Sequence, residues 1–207
     1  MLKKSKPTKV NFFIKTLIFS DFLILSGVGF INPIFALFIA QKINGASLEV
    51  VGYSATILLV VKSLLQIPIA HYVDKTPGER DDLYFVFWGS LLASAASFLY
   101  VWVDQVWQLY LLQALYGMAT AMSYPSWFAL FSRHTDKRKE GYEWGMYSSI
   151  VGIGVAVTGA LGGVLAQRVG FNFVFVLVGV ISLVGSLLIL LLRKYVLRHD
   201  LLKVHEE

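Results

Sequence analysis

The sequence predicts an all-α membrane protein with six transmembrane helices arranged as two inverted three-helix repeats. Three observations carry this: the composition, six apolar stretches of spanning length, and short motifs that recur about 90 residues apart. Of the 207 residues, 57% are hydrophobic and 15% charged, with a mean hydropathy of +0.66. A soluble domain carries about 25% charged residues to cover its surface, so a water-soluble globule and a disordered chain are both excluded. The chain has no cysteine, which removes disulfides, thiolate metal sites and cysteine nucleophiles.

A helix needs about 20 apolar residues to cross a bilayer, and six stretches supply them, at about 12–40, 50–72, 83–103, 106–132, 144–166 and 173–192. Span one is too long for a signal peptide and has no small-residue cleavage site before polar sequence, so it reads as a true span. Asn44-Gly45 separates it from span two, and Pro77-Gly78 separates two from three. Asp104-Gln105, the run 133–141 and the segment 170–172 supply the remaining breaks. Such short loops make successive helices antiparallel neighbours. The expected single domain therefore has repeat one at about 12–103, repeat two at about 106–192 and a tail at 193–207.

Orientation follows from lysine and arginine, which gather in cytoplasmic loops. Lys3, Lys4, Lys6, Lys9 and Lys15 precede or enter span one; Lys75 and Arg80 follow span two; Arg133, Lys137, Arg138 and Lys139 follow span four; Arg193, Lys194, Arg198 and Lys203 follow span six. The opposite face has only Lys42 and Arg168, and Lys62 lies inside span two. Both termini are expected in the cytoplasm, in a multi-pass protein of the plasma or inner membrane. The net charge of +5 thereby finds its cause in topology and anionic lipid headgroups, not in a nucleic-acid partner.

The repeat shows in matched motifs. Phe35-Ala36-Leu37-Phe38 follows Pro33 in span one, and Phe128-Ala129-Leu130-Phe131 follows Pro125 in span four, 93 residues later. At the same offset Gly52 falls on Gly145, and spans three and six both open on Phe-Val-Phe. An odd number of spans per repeat inverts the second copy.

Ionisable groups at membrane depth are costly, which makes them the default functional candidates. At about 1.5 Å of rise per residue, Asp21 in span one and Lys62 in span two reach one depth. If those helices are neighbours, an ion pair would neutralise both. Such a pair serves as a coupling element, separable by a proton or a charged substrate, or as a static structural pair. Asn32, Gln66, Gln113, Ser123, Tyr124 and Ser126, with Trp127 beside them, are the polar lining candidates. Lys15 reads as an interfacial snorkeller, and Trp102, Trp107 and Tyr110 as interface anchors.

With these residues in view, the chain resembles one six-helix half of a major facilitator superfamily transporter, over essentially its whole length. Gly27 and Pro33 match that family's glycine-to-proline spacing in the first helix, with Ala36 where a second proline is common. The family's loop pattern Gly-x-x-x-Asp-Arg/Lys-x-Gly-Arg-Arg survives in Asp74, Lys75 and Gly78. Ala70 replaces its glycine, one extra residue precedes Gly78, and Asp81-Asp82 stands where bases are usual. The resemblance implies a gating latch in this loop, carried by Asp74, Lys75, Gly78 and Arg80. Gln113 takes the place of an arginine four residues before Gly117, which argues against proton coupling through that position. Gly152, Gly154, Gly159, Gly162 and Gly163 resemble the glycine-rich fifth helix, with Thr158-Gly159 in place of a Gly-Pro core. With Gly27, Pro33 and Gly117 these are expected packing positions, since small residues let helices approach closely.

The resemblance implies secondary transport of a small solute by alternating access. A half offers only one wall of a site, so the expected partners are a second copy of the chain or a separately encoded half, besides membrane lipids. By analogy, spans two and five would form the contact. A non-transporting interaction or assembly protein is the competing class. A membrane-embedded enzyme fits less well. Gly52-Tyr53-Ser54-Ala55 lacks the last glycine of an intramembrane serine protease, and His71, His134, His199 and His205 all fall at span ends or in tails. No His-Glu-x-x-His pair exists, so neither a catalytic residue, a metal nor a cofactor is expected. Asn32-Pro33-Ile34 and Tyr124-Pro125 both miss the Asn-Pro-Ala of aquaporin-like channels.

Overall fold

A computed structural model describes residues 11–197. Span one is α1 (Phe12–Ile31) followed by the short α2 (Phe35–Lys42). The remaining spans are α3 (Leu48–Lys75), α4 (Arg80–Leu99), α5 (Val106–His134), α6 (Glu140–Arg168) and α7 (Phe171–Ile189). After a 3-10 turn at Leu190–Leu192, helix resumes as far as Leu197, inside the stretch expected as tail. Lys3, Lys4, Lys6, Lys9, Arg198, Lys203, His199 and His205 lie outside the described residues.

Local chemistry sets the helix starts. Asn11 Oδ1 accepts the Phe13 N–H at 3.0 Å to cap α1, and Ser47 Oγ accepts the Val50 N–H at 3.2 Å to cap α3. Gln105 and Gln108 form a reciprocal capping box at α5. Between α3 and α4, Gly78 takes φ +100°, a value that side chains with a Cβ resist. The first span is broken at Asn32–Ile34, because Pro33 has no N–H to continue the α1 ladder. Among the described residues, five helical stretches are long and apolar enough to cross a membrane. The sixth spanning helix, α5, has the length at 29 residues, with Gln108, Gln113 and Ser123 tempering its apolarity.

The helices pack in the order α3, α5, α4, α7, α1, α6. The first helix of each repeat thus packs on the second and third helices of the other: α1 on α6 and α7, α5 on α3 and α4. Exchanging the repeats leaves this set of strong pairs unchanged, which is the symmetry expected of two inverted three-helix units. Small residues make the pairing close. A Cβ added at Gly117 would lie 2.6 Å from Leu58 O, and one at Gly89 would lie 2.6 Å from Ala119 O. Gly117→Val is therefore expected to destabilise the protein by about 1–3 kcal/mol through overpacking, read as a lower thermal midpoint in detergent. An unchanged midpoint would contradict the close α3–α5 approach.

Two apolar clusters close the ends of the bundle. One, at the end where both described termini lie, gathers Phe13, Leu17, Val86, Leu130, Phe131 and Ile189. The other, at the far end, gathers Phe30, Phe38, Tyr100, Leu109, Phe171 and Phe175. Ser20 Oγ donates to Gly185 O at 2.7 Å and Ser94 Oγ to Gly179 O at 2.8 Å, tying α1 and α4 to α7.

Candidate functional site

Between the two clusters the interior opens, with α1 and α5 as facing walls. A cavity of about 190 Å³ is lined by Asp21, Lys62, Tyr116, Ser123, Tyr124, Trp127, Phe128 and Tyr147. A second, of about 110 Å³ toward the far end, is lined by Asn32, Phe35, Ser97, Tyr100, Gln113, Tyr116 and Ser182. Ile24, Ala93 and Tyr116 line both, forming the neck between them. A further recess of about 610 Å³ is an outward-facing apolar one between α3 and α5, rimmed by Trp102 and Trp107.

The two intramembrane charges share the 190 Å³ cavity without touching. Tyr147 Oη donates to Asp21 Oδ2 at 2.7 Å, while Lys62 Nζ sits 4.4 Å from the centroid of the Tyr124 ring, a cation–π contact. The direct Asp21–Lys62 ion pair expected from matched depth is not formed. Depth fixes a position along the helix, but α1 and α3 are not neighbours in the packing order, and α5 stands between them.

Aromatic side chains build the wall around Asp21. Trp127 stacks 4.6 Å from Tyr147 and 4.9 Å from Phe131, and Tyr124 lies 4.6 Å from Phe128. Trp127 Nε1 and Gln113 Oε1 are buried without a protein hydrogen-bond partner. Buried polar atoms are otherwise almost always satisfied, so these two call for water or a ligand. Asn32 reaches the 110 Å³ cavity. Gln66, half-buried on α3, lines neither cavity, and Ser126 is buried beside the aromatic wall.

The polar loop after α3 is arranged differently from the expected latch. Asp74 and Lys75 are exposed and make no ion pair, and Arg80 lies 5.8 Å from the Tyr84 ring centroid. The ionic contacts are made by Glu79, just before Arg80, and by Asp82 in the first turn of α4. Arg133 Nη1 pairs with Asp82 Oδ2, and His134 Nε2 lies 3.5 Å from Glu79 Oε2, joining the start of α4 to the end of α5. Phe13 of α1 stacks on the His134 ring at 3.6 Å. Sequence reasoning passed over Glu79 and Asp82, and treated Asp81-Asp82 as a departure from a pattern. The available signal was Arg133-His134 at the end of span four, the bases that those acids meet. In the next loop Lys139 Nζ bonds Asp136 Oδ2 at 2.5 Å, which holds the ammonium above its ordinary range.

The expected packing glycines divide into two groups. Gly27 faces Val178 and Ser182 of α7, Gly117 faces α3, and Gly154 and Gly162 receive Phe22, Ser26 and Phe30 of α1. Gly159 is 3.7 Å from Gly29 O at its would-be Cβ. Gly163 has open space, as do Gly145 and Gly152 on α6 and Gly52 on α3.

Comparison with known proteins places these features in context. The sequence profile of the Major Facilitator Superfamily matches residues 17–206. An uncharacterized MFS-type transporter of Methanocaldococcus jannaschii is 23% identical over 173 residues, covering 82% of this chain. Among solved structures, the crystal structure of the POT family transporter PepTSo superposes with a TM-score of 0.74 at 16% identity over 90% of the chain, a likeness of fold. The chain spans 42% of the length of the archaeal relative and 38% of that solved chain.

Proposed function

Because the chain belongs to the Major Facilitator Superfamily, we propose that it forms one half of a secondary transporter that moves a small solute by alternating access. The observation that carries this reading is the cavity between α1 and α5, where Asp21 and Lys62 sit at mid-depth in an otherwise apolar bundle. Intramembrane charges are retained where they act on a substrate or an ion. The neck at Ile24, Ala93 and Tyr116 divides the interior into two chambers stacked along the helices, the arrangement a two-sided access path needs.

Half a transporter requires a facing wall, and a second copy of the chain supplies it through α3 and α6. These helices flank the packing order and have the least-covered surfaces. Gly52 on α3, and Gly145 and Gly152 on α6, leave open ground for another backbone. The end bearing Arg133, Lys137, Arg138, Lys139, Arg193 and Lys194 faces the cytoplasm of the cell membrane under the positive-inside rule.

Asp21 is the group expected to couple transport to a proton. A hydrogen bond to a charged group is worth about 1.5–3 kcal/mol, so Asp21→Asn is expected to lower flux about tenfold or more and to flatten its pH profile. Metabolite profiling of cells expressing the chain measures this. Unchanged flux and profile in the variant would remove Asp21 from coupling, and a wild-type chain that redistributes no solute would contradict transport.

A further inference from the structure

We propose that the cavity between α1 and α5 takes a small zwitterionic solute, an ammonium group meeting Asp21 and an acidic group meeting Lys62. This deepens the transporter reading and rests on it. Two opposite charges at membrane depth ordinarily neutralise each other. Here they are held apart, each by a neutral aromatic partner: Asp21 by the Tyr147 hydroxyl and Lys62 by the Tyr124 ring face. Both nevertheless line one cavity of about 190 Å³. A singly charged solute would meet attraction at one end and repulsion at the other, and a neutral solute would leave both charges uncompensated. A solute carrying both signs satisfies both groups at once.

The surroundings sharpen the assignment. Trp127 and Tyr147 line the cavity with Asp21, and aromatic side chains beside a carboxylate suit an ammonium group. The cavity, at about 190 Å³, has room for a small solute.

The test is ligand-induced thermal stabilisation of the whole chain in lipid nanodiscs. Four probes are applied at equal concentration: a pool of the neutral protein amino acids, the matching decarboxylated amines, the matching deaminated acids, and mannitol. The amino-acid pool alone is expected to raise the midpoint. Asp21→Asn and Lys62→Gln should each weaken that response about tenfold or more, while Asp21→Glu and Lys62→Arg, which keep the charges, retain it and thereby exclude simple misfolding. Stabilisation by amines, acids or mannitol equal to that by amino acids would overturn the proposal and leave the transporter reading standing. So would amino-acid binding indifferent to both neutralising variants, or no response to any probe. Amino-acid binding without flux in proteoliposomes would support the cavity assignment and contradict the transporter reading instead.

Discussion

Arg133→Ala is expected to lower the stability of the folded chain by about 3 kcal/mol. The Asp82 side chain is fully buried, with Oδ2 on Arg133 and Oδ1 without a hydrogen-bond partner. Removing the guanidinium strands a carboxylate with no compensating charge on its bonded oxygen, and breaking such a buried pair costs about 3–5 kcal/mol. Arg133 keeps 35% of its side chain exposed, so solvent screens part of the interaction and the lower end of that range applies. The double replacement Asp82→Leu with Arg133→Met should recover most of the loss, since apolar residues of similar volume often replace a buried pair at little cost. Denaturant titration in detergent measures both. A change within about 0.5 kcal/mol for Arg133→Ala, the range of ordinary surface substitutions, would mean that the pair does not hold the start of α4 to the end of α5.

The second large effect is on assembly. Gly152→Trp on α6 and Gly52→Trp on α3 are each expected to convert a pair of copies to monomers while leaving the fold intact. At neither position does an added Cβ meet an atom of the chain within 4 Å, so under the proposed pairing the indole would meet the partner's backbone. Gly162→Trp on the same helix is the contrast. Its side chain would be driven into the Phe30 backbone of α1 and should prevent folding. Size-exclusion with light scattering in detergent separates the outcomes: a lighter, well-folded particle for Gly152→Trp and aggregate for Gly162→Trp. Unchanged mass in both Gly52→Trp and Gly152→Trp would place the contact elsewhere.

Much of this fold is legible in the sequence because the bilayer imposes a length on each apolar run and charge on the loops between them. The inverted repeat is legible too, since symmetry leaves motifs such as Phe-Ala-Leu-Phe at matching places. What one dimension does not encode is which helices are neighbours. Asp21 and Lys62 can be matched in depth by counting residues, but their azimuth and the intervening α5 emerge only from packing. The counting still brings both groups to one cavity, with Tyr147 and the Tyr124 ring standing where the direct partner was expected. Proline shows the same limit. Pro33 breaks span one, whereas Pro125, before the same tetrapeptide, stays inside a continuous α5 held along its length by α3 and α4. Asp82 was hidden for a related reason: read against a loop pattern it is an anomaly, and only the end of α5 gives it Arg133.

The proposed facing half of this six-helix chain is a second copy of itself. Counting protomers in native-membrane nanodiscs by single-molecule photobleaching, at low expression and with a tandem fusion of two copies as the standard, tests it most directly. Two bleaching steps per particle are expected, and a single step for Gly152→Trp. One step for the unaltered chain would contradict pairing with itself, leaving a separately encoded half or a role in membrane assembly without transport.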